Sequence, residues 1–198
     1  MLKVKICGIT NIEDALVACK AGADALGFVF YPKSPRYISP SDAKMIVKEL
    51  PPFVQKVGLF VNESSKSVNT IMKESKMSLA QIHFDAKEPF YKELECDYIK
   101  VARIKTKEEL LGLKTDEYMI VDAFVDSYGG EGKRIELDWF DGLDCSKMII
   151  AGGLNRQNVK ELKGYGFYGV DVSSGVEKAK GKKEHKKIYD FIETVKNL

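Results

Sequence analysis

Two positions in this 198-residue sequence set a reactive side chain at the end of a strand-like run. Cys7 follows the run VKI (4–6) and precedes Gly8, while Lys5, two residues back, falls on the same face of any strand formed there. A thiol beside an ammonium is placed to lose its proton and act as a base or nucleophile. The alternative is a small buried hydrophobe. Asp122 follows the apolar run YMIV, so its carboxyl emerges from the core, either to exchange a proton or simply to cap a turn. Asp126 lies inside the glycine-rich DSYGGEGK, a segment suited to closing over a ligand, and reads as solvated. AGGLN and DVSSGVE each follow a strand-like run and offer backbone N–H groups that small side chains leave open to an anion. Together Gly152, Gly153, Ser173, Ser174 and Gly175 make a candidate phosphate nest, with Asp171 just before it. Arg36 stands out because four arginines share the chain with 27 lysines. An arginine kept where lysine serves elsewhere suggests a bidentate grip on a carboxylate or phosphate, although a surface ion pair is the competing explanation. His83, at the end of another run, reads as a structural histidine.

These residues need a scaffold that brings strand ends together. Eight strand-like runs recur, at 4–6, 25–30, 56–61, 79–83, 98–104, 118–122, 148–152 and 169–173. Helical spacing of apolar residues fills 12–21, 41–50, 65–75, 107–113, 138–143, 158–165 and 185–196, with a fainter pattern at 87–95. Alternation of strand and helix predicts parallel strands with crossovers, and eight units predict a compact (β/α)8 TIM barrel occupying 1–198 as a single domain. A doubly wound sheet is the alternative, but the first strand leads into CGIT rather than G-x-G-x-x-G. In such a barrel the active site forms at the carboxyl ends of the strands, and phosphate binds after strands seven and eight. That is where AGGLN and DVSSGVE fall.

The balance of charge narrows the partners. Thirty-one basic against 29 acidic residues leave a net charge of +2 with no block of one sign, which argues against nucleic acid. No apolar run reaches the length of a membrane span, and no signal segment opens the chain, so a cytoplasmic protein with reduced thiols is expected. Cys7, Cys19, Cys96 and Cys145 form no C-x-x-C pair, so neither a metal nor a cofactor is expected. The expected partner is a small phosphorylated molecule. Oligomeric state is not fixed by the sequence.

The motifs VKICGIT, GADALGFVFYPKSPRYIS, VGLFVN, QIH, VDAF, YGGEGK, LDW, AGGLN, VDVSSGVE and GKKEH occur in an order that resembles the phosphoribosylanthranilate isomerase family over essentially the whole chain. The resemblance implies a cofactor-free Amadori rearrangement in tryptophan biosynthesis. It further implies Cys7 as general base and Asp122, six residues before Tyr128, as general acid. Arg36 would hold the anthranilate carboxylate, the two small-residue loops would hold the phosphate, and Asp171 matches a substrate-side position of open role. The chain departs from the family pattern at Phe84, where QIHF replaces QLHG, and at Leu137, where an aromatic often precedes DW. Such chemistry needs Cys7 as thiolate while Asp122 is protonated, so a lowered thiol pKa, a raised carboxyl pKa, or both, are expected. Rival readings are an aldolase with a Schiff-base lysine, a histidine-pathway isomerase using two aspartates, and a catalytically silent phosphate-binding barrel.

Overall fold

The computed structural model describes residues 1–114, 116–124 and 134–198. All eight expected runs form strands: β1 Lys3–Cys7, β2 Ala25–Val29, β3 Gln55–Phe60, β4 Leu79–Ile82, β5 Tyr98–Ile104, β6 Met119–Ala123, β7 Met148–Ile150 and β8 Gly169–Val172. Each pairs in parallel with the next, and β8 pairs with β1 to close a (β/α)8 barrel. Helices among the described residues are α1 Ile12–Ala21, α2 Pro40–Lys48, α3 Ser65–Ser75, α4 Glu88–Lys92, α5 Lys107–Leu111 and α6 His185–Lys196. Four of them start on side-chain caps: Asn11, Ser39, Ser64 and Thr106 each accept a backbone N–H from the first turn.

Two expected helices are not formed. The segments 138–143 and 158–165 hold only single 3-10 turns, Leu137–Phe140 and Val159–Leu162. Gly142, Gly164 and Gly166 take positive φ values of 81°, 93° and 76° just beyond them, which turns the chain out of a right-handed helix. Phe140 packs edge-on against Phe167, with ring centroids 5.0 Å apart, and covers the outer face of the sheet there. A hairpin that was not expected follows β8, with β9 Glu177–Ala179 antiparallel to β10 Lys182–Lys183. Phe84 also finds an explanation, because its ring meets Phe90 at 5.3 Å and anchors the short α4. Leu137 packs partly buried on the main core.

Alternation along the strands divides the barrel into two environments. Ile6, Leu26, Phe28, Phe60, Ile82, Val121, Met148 and Val170 point outward and are buried against the helices. The inner face is apolar toward the amino-terminal pole, where Ala25, Val57, Leu79, Ile120 and Ile149 line a cavity of about 460 Å³. Polar and reactive side chains gather toward the opposite pole. The β8–β1 seam that brings the ends of the sequence together is tight, since a Cβ on Gly169 would lie 2.6 Å from the Lys3 carbonyl oxygen. Gly169→Ala should therefore destabilise the fold by about 1–3 kcal/mol, read as a lower urea midpoint; an unchanged midpoint would show that the seam has slack.

Candidate active site

The register of the seam sets Lys5 beside Asp171. Lys5 Nζ lies 2.9 Å from both carboxylate oxygens, and the two side chains are only 7% and 8% exposed. Next to the pair stands Cys7, with Gly27 on the adjoining strand. A Cβ at Gly27 would fall 2.8 Å from Cys7 Sγ and 3.0 Å from Lys5 Nζ, so glycine leaves the room in which thiol and ammonium approach. Val29, Leu59, Val61 and Tyr31 pack around Cys7 as an apolar wall. Burial lowers the Lys5 pKa, but Asp171 and the Cys7 thiol more than offset it, so this amine stays a cation. It is a poor candidate for a Schiff base, which weighs against the aldolase reading.

Burial pushes the Cys7 thiol upward; Lys5 and Lys183 pull it down, and Asp171 adds to the rise. Burial prevails, so the expected lowering of this thiol is not found. Asp122 behaves as expected. It is the register neighbour of Arg103, and burial together with Asp171 raises its carboxyl to about 6, against the opposing pull of the Ala123 N–H, Arg103 and Lys5. Near pH 7 about a tenth of such a group is protonated, roughly a hundredfold more than for an ordinary aspartate. The Arg103 guanidinium lies 4.5 Å from the centre of the Phe124 ring. His83 is held down to about 4 by burial, Arg103 and Lys5, which leaves it neutral.

The two small-residue loops are pressed together. Gly152 and Gly153 take positive φ values of 88° and 60°, and Asn158 Nδ2 donates to the Gly153 carbonyl at 2.9 Å. A Cβ on Gly175 would lie only 1.9 Å from the Leu154 carbonyl oxygen, so the β8 loop reaches the β7 loop only with glycine there. Ser173 opens a 3-10 turn over Ser174–Val176. Arg36 does grip a planar carboxylate with two donors, but the carboxylate is the chain's own. Its Nε and Nη2 donate to Glu177 at 2.9 and 2.8 Å, both side chains buried. The arginine stem crosses Gly8, where a Cβ would meet Arg36 Cδ at 2.6 Å and Ser173 Oγ at 3.1 Å.

Cys7, Asp122, Asp171, Arg36 and the two loops thus meet at the carboxyl-terminal mouth. Asp126 and YGGEGK fall within 125–133, outside the described residues. Among the described residues no group of three or more histidine, cysteine, aspartate or glutamate side chains is placed to hold a metal, and no helix is long and apolar enough to cross a membrane. Sequence reasoning passed over Glu177 and Lys183. Their only signal was their place in the motifs VDVSSGVE and GKKEH.

A family model for N-(5'-phosphoribosyl)anthranilate (PRA) isomerase matches residues 4–194. The chain belongs to this isomerase family. It is 57% identical over 195 residues to the N-(5'-phosphoribosyl)anthranilate isomerase of Nitratiruptor sp., covering 98% of this chain and 99% of that one. The crystal structure of phosphoribosyl anthranilate isomerase from Thermotoga maritima matches with a TM-score of 0.87 at 37% identity, with all of both chains covered. A solved isomerase in complex with reduced 1-(o-carboxyphenylamino)-1-deoxyribulose 5-phosphate matches with a TM-score of 0.86, also at 37% identity and full coverage of both chains.

Within the family fold, the raised Asp122 carboxyl carries a cost in stability. The folded protein holds this proton up to about pH 6, whereas an ordinary carboxyl releases it near 3.8. Folding therefore binds a proton between those values, and above them the buried charge destabilises the fold by up to about 3 kcal/mol. Asp122→Asn removes the charge. Urea unfolding of the variant should show a gain approaching that size at pH 8 and none at pH 3; an equal gain at both would assign it to packing instead.

Proposed function

We propose that this isomerase carries out the cofactor-free Amadori rearrangement of N-(5'-phosphoribosyl)anthranilate to 1-(2-carboxyphenylamino)-1-deoxyribulose 5-phosphate, with Cys7 as general base and Asp122 as general acid. The observation that carries the reading is the pairing at one barrel mouth of a thiol beside Lys5 and a carboxyl whose pKa is raised to about 6. Protonated Asp122 gives its proton to the ribose ring oxygen as the C1'–O bond breaks and the nitrogen lone pair forms a C1'=N iminium. That cation acidifies the neighbouring C2'–H. The Cys7 thiolate removes this proton, and the C–H electrons form a C1'=C2' double bond while the nitrogen becomes neutral. Return of a proton to C1' and loss of the enol proton from the C2' oxygen give the ketone, so atoms and charge balance.

The phosphate lies, in this reading, against Gly152, Gly153, Ser173, Ser174 and Gly175, where a tight pair of loops supports it. The aromatic ring packs on Val29, Leu59, Val61 and Tyr31. Arg36 offers the substrate carboxylate the nitrogen outside its Glu177 pairing, and Asp171 acts on the substrate side through its charge, which raises both proton-transfer groups.

With freshly prepared substrate, Cys7→Ala and Asp122→Asn should each lower kcat by about 100-fold or more while the reduced product analogue still binds within a few-fold. Wild-type turnover in either variant would overturn the acid–base assignment. Arg36→Lys keeps the charge but loses the two-donor fork, so KM should rise about tenfold with a smaller change in kcat. An unchanged KM would leave Arg36 with Glu177 as its sole partner.

A further inference from the structure

Lys183 is a lysine with none of its side chain exposed, on a hairpin strand outside the barrel. Its Nζ lies 2.5 Å from the Cys7 carbonyl oxygen and 2.9 Å from Glu177 Oε1. It also reaches the carbonyl and hydroxyl oxygens of Ser173, at 3.3 and 3.5 Å. An ammonium has three N–H donors, and here they serve three separate elements: the end of β1, the β8 loop and the hairpin. The backbone of Lys183 is fixed as well, because its N–H donates at 2.9 Å to Asp14, which also meets His185 Nε2 at 2.9 Å. Glu177 takes Arg36 and Lys183 together, along with the Gly181 N–H at 3.3 Å, so two cations share one carboxylate.

Holding an ammonium fully buried is costly, and an apolar side chain of the same volume would often give an equally stable fold. The arrangement makes sense if the charge serves the site. We infer that Lys183 is a positioning residue for the isomerisation, one that locks the Cys7 carbonyl and the Ser173 loop to the Glu177–Arg36 pair and biases the mouth toward anions at Ser173 and Cys7. The inference rests on reading Cys7 as the base and Ser173 as part of the phosphate loop. The charges bearing on Cys7 are Lys5, Asp171 and Lys183, so removal of Lys183 leaves Lys5 alone to oppose burial and Asp171.

The test compares wild type with Lys183→Met, which fills the space without charge, and Lys183→Gln, which keeps polar donors without charge. Three readouts are needed beside urea unfolding: kcat and KM, inhibition or protection by inorganic phosphate alone, and the pH dependence of iodoacetamide alkylation at the Cys7 peptide, followed by mass spectrometry. Folded variants should bind phosphate about tenfold more weakly, show a KM raised by a similar factor, and alkylate at Cys7 with a higher apparent pKa. Lys183→Gln should fall between Lys183→Met and wild type in phosphate binding. A folded Lys183→Met with wild-type phosphate binding and alkylation pKa would overturn the role, and failure of both variants to fold would reduce Lys183 to a folding residue. Phosphate binding and alkylation do not need turnover. A wild-type chain that fails to isomerise the substrate would thus defeat the proposed reaction while leaving these two readings of Lys183 intact.

Discussion

The buried ion pair between Lys5 and Asp171 lies where the last strand of the barrel meets the first, and the chemistry of the mouth depends on it. Neither charge is stable alone inside a barrel, so the seam must close in the register that sets them side by side. A slip of one residue would turn one of the two to the helix-packed face and leave the other buried without its partner. Closure in the observed register also gives two reactive groups their settings. Asp171 raises the Asp122 carboxyl and the Cys7 thiol, while Lys5 lowers both and helps keep His83 neutral.

The pair acts unevenly on Asp122 and Cys7, the two groups proposed to transfer protons. For Asp122, burial and Asp171 work together and bring its protonated form within reach of neutral pH. For Cys7, burial outweighs Lys5 and Lys183, so the thiol rather than the thiolate is the majority form at neutral pH. The site favours the proton on both groups. For the proposed reaction the acid is thereby made easily and the thiolate base is the scarce species, which gives the cations near the thiol their importance. Gly27 belongs to the same balance, since any larger side chain would separate Cys7 from Lys5.

Much of this was readable before the structure. The eight strands announce themselves because parallel barrel strands are short, apolar and regularly spaced, and α1 and α3 keep their expected bounds because Asn11 and Ser64 cap them. The segments 138–143 and 158–165 have helical apolar spacing, but Gly142 and Gly164 within them stop the helix after one turn. Arg36 shows the limit of an argument from residue type. The two-donor grip was legible, but Glu177, 141 residues away, was not. Lys183 was invisible for a plainer reason, as one of 27 lysines in a polar stretch that reads as surface. Phe84 registered only as a departure, because its partner Phe90 lies in the short segment with the faintest helical pattern.

The position of the hairpin along the chain has a consequence for biosynthesis. Lys5 must wait 166 residues for Asp171, and the Cys7 carbonyl 176 residues for Lys183. Contacts that close such long loops form late, so the nascent chain can gather its first strands on the ribosome but cannot complete the proposed active-site mouth until β10 has emerged. A chain released before β8 would carry β1 and β7 as open edges, each with unpaired backbone groups ready to recruit another strand. Chains truncated before β8 are thereby marked out as prone to aggregate, and only synthesis through β10 yields the full set of charges at the site.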